Sequence, residues 1–165
     1  MTKKEVQQRV LQNGKPLSLD KFKWDEKTDT FSSNEDDLVL DFADRDGCTF
    51  KTGWNCTFKT GRYCKFDTGD GCKFDTGNGC KFDTGNGCTF DTGDGCKFYT
   101  GSECVVVRRD VYEIIEIPEG KKIRLNGYEV KGYKVLVKKP KKVVLTMDEI
   151  AEKFGVPVGN LKIKK

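Results

Sequence analysis

The stretch that decides the fold is residues 64–104, which read CKFDTGDG, CKFDTGNG, CKFDTGNG, CTFDTGDG, CKFYTGSE and then Cys104. Cysteine recurs at a spacing of eight residues from Cys48 to Cys104, and the first seven copies are followed by Phe, Thr and Gly at constant offsets. The unit is C-x-F-x-T-G-x-x. A short constant period of this kind is the signature of an architecture in which each unit stacks on its neighbours.

Inside the unit the period is two, which is typical of a β-strand with one buried face. Cys, Phe and Thr point to that face, whereas the intervening Lys and Asp point to solvent. The Gly-x-x that follows is a turn, where glycine tolerates a positive φ. The pattern therefore predicts a core ladder of inward side chains, namely Cys48, Phe50, Cys56, Phe58, Cys64, Phe66, Cys72, Phe74, Cys80, Phe82, Cys88, Phe90, Cys96, Phe98 and Cys104.

A five-residue strand cannot bury its own apolar face, so successive octads must wind and stack. The predicted fold is mainly β: a single-chain β-solenoid running over nine octads from Leu40 to Val111, with Leu40 in the cysteine position. We favour two sheets and 16 residues per coil, because Phe then meets Phe across the core. A three-sided coil of 24 residues and an intertwined multi-chain β-helix remain the alternatives.

The chain divides into three segments by charge and pattern. Residues 1–39 (net charge −1) are predicted to form an N-terminal cap, with a helix over residues 3–12 and a hairpin over residues 22–31 that covers the first coil. Residues 40–111 form the solenoid.

Residues 112–165 are predicted to form a basic β-plus-helix subdomain. The expected elements are a strand over residues 112–117, a type I′ hairpin around Asn126-Gly127 that returns through Tyr128–Val130, short strands at 135–137 and 143–145, and a capped helix from Thr146 to Phe154.

The octads CTFKTG and CKFDTG resemble those of an uncharacterised group of octapeptide-repeat proteins encoded by tailed phages and gut-associated bacteria. The segments VLQNGKPLSLDKF (10–22), LVLDF (38–42) and CVVVRRDVYE (104–113) are similar to the same group. The resemblance covers most of residues 7–115. It implies a solenoid and a phage context, and it carries no activity with it.

Composition argues against several catalytic classes. Histidine is absent from all 165 residues, which excludes His-based triads and His–metal sites. The aspartic-protease tripeptide Asp-Thr-Gly begins four times between Asp67 and Asp91, but the same octad position holds Lys51 and Lys59. We therefore expect a non-catalytic protein without a cofactor or a metal.

The eight cysteines lack the C-x-x-C spacing of zinc sites, and we expect them to be free thiols in the core. Asp and Asn at the corners raise the alternative of calcium binding, and the outward Thr49, Thr57 and Thr89 raise that of ice binding. We interpret both sets as solvated surface. Because Lys and Asp alternate along each strand, we expect the repeat surface to be nearly self-neutralising.

The expected function is that of a structural or interaction protein, in which the solenoid is a spacer and the terminal segments bind. Candidate partners are another protein or a second copy, with nucleic acid as a weaker candidate. The alternative to a virion or assembly component is a free intracellular module that binds nucleic acid or an acidic protein through the basic C-terminal segment. The residues after Cys104 carry a net charge of +7. No membrane is expected, and the opening residues lack an apolar signal segment, so we expect a cytoplasmic location, or the virion if a phage encodes the chain. The candidate partner-binding residues are Lys138, Lys139, Lys141, Lys142, Lys162, Lys164 and Lys165.

Overall fold

The computed structural model describes residues 1–137 and 145–160, and its strands form two sheets of eight. The helices and strands before the repeats are α1 (Lys3–Gln7), β1 (Val10–Gln12), β2 (Lys15–Pro16), a 3-10 helix (Leu19–Lys21), β3 (Lys23–Asp25), β4 (Thr30–Ser32) and β5 (Leu38–Phe42). The repeat strands are β6 (Thr49–Thr52), β7 (Thr57–Thr60), β8 (Lys65–Thr68), β9 (Lys73–Thr76), β10 (Lys81–Thr84), β11 (Thr89–Thr92) and β12 (Lys97–Thr100). The remaining elements are β13 (Val105–Arg108), β14 (Glu113–Glu116), β15 (Lys122–Leu125), β16 (Tyr133–Val135), α2 (Met147–Phe154) and a second 3-10 helix (Val158–Asn160).

The repeats wind as a flat two-sheet solenoid. Sheet A has the order β14-β13-β11-β9-β7-β5-β1-β2, and sheet B has the order β16-β15-β12-β10-β8-β6-β4-β3. Within the repeats all pairing is parallel and in register, so that Phe66 pairs with Phe82 and Phe82 with Phe98. One coil is therefore 16 residues, which confirms the two-sheet prediction and excludes the 24-residue coil.

The core is a zigzag of phenylalanine rings. Along each sheet the rings stack, as in Phe66–Phe82 (centroids 5.0 Å apart), and across the sheets they meet edge to face, as in Phe74–Phe82 (5.2 Å). Both are favourable aromatic geometries. The structure buries every residue of the predicted core ladder, at 3% exposure or less.

The two glycines of a repeat corner have different roles. The second, such as Gly79, has a positive φ (71°), as the turn prediction requires. The first, such as Gly93, is needed because a side chain from the previous coil lies over it: a Cβ there would be 1.7 Å from Oδ1 of Asn78. The expectation of positive φ therefore holds for the second glycine, and close approach explains the first.

The N-terminal segment departs from the prediction in two ways. The helix ends at Gln7, and β1 pairs antiparallel with β5, because β5 would otherwise expose an unpaired backbone edge. The predicted hairpin is confirmed as β3–β4, and β4 also pairs parallel with β6, so it belongs to the stack.

The predicted register of Leu40 is wrong. Leu40 pairs with Phe58 and Phe42 with Thr60, so Leu40 takes the phenylalanine position. The shift arises because the corner at residues 43–47 is two residues longer than a regular corner such as 61–63. In that corner Oδ1 of Asp46 accepts a hydrogen bond from the backbone N–H of Arg62, at 2.6 Å.

Antiparallel strands close the C-terminal end. β14 pairs with β13, and β15 pairs with β12 and then with β16. Arg108 occupies the threonine position of β13, is fully buried, and forms an ion pair with Asp110. Its guanidinium also donates to the carbonyls of Gly127 (3.3 Å) and Val130 (2.6 Å).

The arginine contacts hold residues 127–130 as a loop, so the predicted strand Tyr128–Val130 is wrong and the hairpin returns through β16. The predicted strand at 135–137 is displaced to Tyr133–Val135, and the one at 143–145 lies mostly outside the described residues. The capped helix from Thr146 to Phe154 is confirmed as α2, which ends at Gly155.

Candidate functional site

In-register pairing places identical repeat positions directly above one another. On the outer face of sheet B, Lys65 pairs with Lys81, and Lys81 pairs with Lys97. The antiparallel strands extend this row, because Arg124 pairs with Lys97 and Lys134 pairs with Arg124. We call the five side chains Lys65, Lys81, Lys97, Arg124 and Lys134 the basic column.

The basic column crosses five neighbouring strands. At about 4.8 Å per strand it is about 19 Å long. Lys97 is half-buried and the other four side chains are exposed. Within residues 1–137 and 145–160 none of the five takes part in an ion pair.

A second outward row on sheet B lies two residues further along each repeat strand. Its first members include Asp67, whose carboxylate is 3.9 Å from Nζ of Lys51, and Asp83. Beyond Asp83 the row continues with Tyr99 and Lys122, and Nζ of Lys122 lies 4.9 Å from the centre of the Tyr99 ring. Lys97, Arg124 and Lys134, the last three members of the basic column, therefore have no carboxylate beside them in this row.

Between the two rows runs an open groove of about 400 Å³. Tyr99, which is 43% exposed, Lys122 and Leu136 lie at its C-terminal end. The groove thus combines a basic wall with one accessible aromatic ring.

The outer face of sheet A has a different charge. From β7 to β14 it presents two basic and three acidic side chains, whereas sheet B from β6 to β16 presents seven basic and two acidic ones. Arg109 additionally bridges two of the sheet A carboxylates, Asp75 (3.0 Å) and Asp91 (2.8 Å). The prediction of a self-neutralising surface concerns the repeats, and on the repeat strands alone sheet A is balanced, with two basic and two acidic side chains, whereas sheet B presents four basic and two acidic ones. The rest of the basic excess on sheet B comes from Lys122, Arg124 and Lys134, which follow the repeats.

The predicted partner-binding lysines, Lys138, Lys139, Lys141, Lys142, Lys162, Lys164 and Lys165, all lie outside the described residues. These seven account for the whole net charge of the last segment, since acids and bases balance in the rest of it. Sequence reasoning missed the basic column. Applying the 16-residue period to the octads would have found its three lysines, but Arg124 and Lys134 depend on the antiparallel register.

All eight cysteines are free and buried, as predicted. Their thiols donate to corner carbonyls: Sγ of Cys104 lies 3.3 Å from the carbonyl oxygen of Gly85 and 3.5 Å from that of Ser102. The neighbouring Cys88 thiol, together with burial, raises the pKa of Cys104. Among the described residues no cluster of Cys, Asp or Glu is arranged to hold a metal ion.

The carboxylates of the Asp-Thr-Gly copies are separated by the fold. Asp67 and Asp83 stack on the outer face of sheet B, and Asp75 and Asp91 stack on that of sheet A. Aspartic-protease chemistry needs two carboxylates that share a proton in one site. These positions are exposed or half-buried surface instead.

No protein-family model, curated protein or solved structure matches the chain. In the described part of the chain no helix has the length and apolar character needed to cross a membrane.

Proposed function

We propose that the chain is a non-catalytic structural protein in which the solenoid is a rigid spacer and the C-terminal end binds the partner. One observation carries the proposal: among the described residues, most of the exposed large apolar side chains lie from Tyr99 onward, on or beside the last strands of the stack. They include Ile114 (72% exposed) and Val135 (46%), and the same end of the solenoid carries the exposed basic residues Arg124 and Lys134.

The middle of the solenoid supports the role of spacer. Its coils repeat the same inward side chains, and sheet A neutralises its own charges through Arg109. A stack of this kind contacts only its neighbours, so its length can change by one coil without changing its ends.

The resemblance to octapeptide-repeat proteins of tailed phages supports a place in the virion or in its assembly, within the host cytoplasm. The test is the amount of this chain, measured by mass spectrometry, in purified virions of a phage that encodes it. We expect the wild-type chain to be present. Absence of its peptides from the virions would contradict the virion role.

Binding through the C-terminal end is tested in the same virions with three variants. The charge reversal Arg124→Glu/Lys134→Glu should abolish incorporation, whereas the matched reversal Lys59→Glu/Lys73→Glu on sheet A should not. Deletion of residues 65–80, which removes one coil, should also leave incorporation intact. Loss with the coil deletion and retention with the C-terminal reversal would overturn the proposal.

Substitutions are needed because the C-terminal strands complete the core. A truncation at residue 112 removes Ile115, Ile117, Ile123 and Leu125, all buried at 6% exposure or less. Such a truncation exposes the last coil, and its loss of binding would not separate a binding role from a folding role.

A further inference from the structure

We propose that the basic column, with the adjoining groove at Tyr99, binds single-stranded nucleic acid. This inference rests on the proposed function, because it names the chemistry of the partner at the same C-terminal end. It is carried by three features of sheet B. The basic charges stand in a straight row, no carboxylate among the described residues stands in the row beside Lys97, Arg124 and Lys134, and an accessible aromatic ring lies next to them.

The first step concerns the charge. Five basic side chains stand in one line about 19 Å long on a flat, hydrogen-bonded sheet. A linear polyanion can place successive phosphates along such a row and release its counterions. Sheet A has no comparable row, since only Lys73 stands among the corresponding positions from Thr57 to Val105.

The second step concerns the position of strongest attraction. Lys65 and Lys81 each have an aspartate two residues along the same strand, which weakens their field. Lys97, Arg124 and Lys134 instead stand beside Tyr99, Lys122 and Leu136. The positive potential is therefore greatest over β12, β15 and β16, the strands at the C-terminal end of the solenoid.

The third step distinguishes a nucleic acid from an acidic peptide. Proteins that bind single strands without sequence preference combine a basic track with aromatic rings on which bases stack. Tyr99 is exposed in the groove beside the column, and Leu136 adds apolar surface at the groove's end. The side chains of a carboxylate-rich peptide do not stack on an aromatic ring, whereas an unpaired base does.

A duplex fits this face less well than a single strand. The bases of a duplex are stacked inside it and cannot reach Tyr99. A flexible single strand can lay its phosphates on the column and turn a base into the groove. A row of five basic side chains suits a site of about five nucleotides, near the lower end of the range for such surfaces.

The test is a titration of a fluorescently labelled oligothymidylate of twelve nucleotides with the full-length protein at several salt concentrations, followed by fluorescence anisotropy. Five phosphate contacts predict a slope of log K against log[salt] of about −3.5, at about −0.7 per contact. The variant Arg124→Gln/Lys134→Gln should make the slope shallower by about 1.4. The variant Lys59→Gln/Lys73→Gln, with the same change in net charge, should leave it unchanged.

Tyr99→Leu tests the ring separately and should weaken binding at least about fivefold at constant salt. Circular dichroism and the melting temperature of each variant confirm that the surface substitutions leave the fold intact. Three results would support the inference: the predicted salt slope, a shallower slope for the sheet B variant but not for the sheet A variant, and weaker binding by Tyr99→Leu.

Several outcomes overturn the inference. One is no binding of the oligonucleotide at 50 mM salt, and another is an equal reduction of its binding by the sheet A and sheet B variants. A third is a duplex that binds as tightly as the single strand or more tightly. The last is an oligoglutamate that binds as tightly as the oligonucleotide while Tyr99→Leu has no effect. The last result would assign the face to an acidic protein. Virion incorporation reads out the proposed function and the oligonucleotide titration reads out this inference, so either can fail alone.

Discussion

At the scale of single residues, the phenylalanine rings supply much of the core. Phe82 stacks between Phe66 (5.0 Å) and Phe98 (4.8 Å) and meets Phe74 and Phe90 edge to face. We expect Phe82→Ala to lower the free energy of unfolding by about 3–5 kcal/mol, because neighbours held by the two sheets cannot close the cavity. Urea unfolding measures the loss. A loss below about 1 kcal/mol, or one as small as that of Phe82→Leu, would contradict the packing.

The inward threonines are not equivalent. The hydroxyl of Thr84 is buried and has no hydrogen-bond partner among the described residues, whereas that of Thr100 donates to the carbonyl of Gly101 at 3.2 Å. We expect Thr84→Val to raise the free energy of unfolding by about 1 kcal/mol, because the side-chain shape is kept and an unsatisfied polar group is removed. Thr100→Val is the control and should be neutral or destabilising. Urea unfolding measures both changes. Equal effects of the two substitutions would contradict the claim that only the Thr100 hydroxyl is hydrogen-bonded.

Period two along the octad predicted which residues point inward. It could not predict which threonine hydroxyls find a carbonyl, because this depends on a hydrogen bond within each corner. Nor could it predict Arg108 at a threonine position, since a buried arginine requires Asp110 and the loop carbonyls of Gly127 and Val130 to be brought to it.

At the scale of elements, the corners determine how closely the coils stack. Gly93 does not have a positive φ, so its backbone does not itself require glycine, but a Cβ there would collide with Asn78 of the previous coil. We expect Gly93→Ala to cost about 1–3 kcal/mol. In the Asn78→Ala background the same substitution should cost much less, because the colliding amide is gone. Thermal or urea unfolding of the four proteins of this cycle gives the coupling energy. Additive effects would show that the close approach is not the cause.

The elements also show where a sequence period is sufficient. Eight-residue spacing predicted the strands and, with the Phe–Phe argument, the 16-residue coil. It failed at Leu40, where a longer corner shifts the frame, and at Tyr128–Val130, where Arg108 holds a loop. The basic column is partly visible in Lys65, Lys81 and Lys97. Its upper members come from strands that lie outside the period, so only the register of β15 and β16 reveals them.

At the scale of the whole molecule, the solenoid is a one-dimensional stack whose two ends are closed differently. Residues buried at 2% or less, including Val6, Leu17 and Phe22, cover the N-terminal end. At the other end Ile123 and Leu125 close sheet B at 1% exposure or less. However, Ile115 and Ile117, which close sheet A beside Cys104, are slightly more exposed, at 6% and 5%. In a stack stabilised by nearest-neighbour contacts, opening begins at the ends and proceeds inward. We expect the C-terminal coil to open first.

The cysteines report this opening coil by coil. Ladder neighbours and burial raise the pKa of Cys72 and Cys104, so neither is an appreciable thiolate at pH 8 while it is folded, and alkylation requires opening. In pulsed labelling with iodoacetamide, read out for each peptide by mass spectrometry, Cys104 should react first and Cys72 and Cys80 last. A difference of about tenfold in rate corresponds to about 1.4 kcal/mol in opening free energy. In denaturing urea all eight should react alike. Equal rates under native conditions would mean that the solenoid opens only as one cooperative unit, and faster labelling in the middle would contradict opening from the ends.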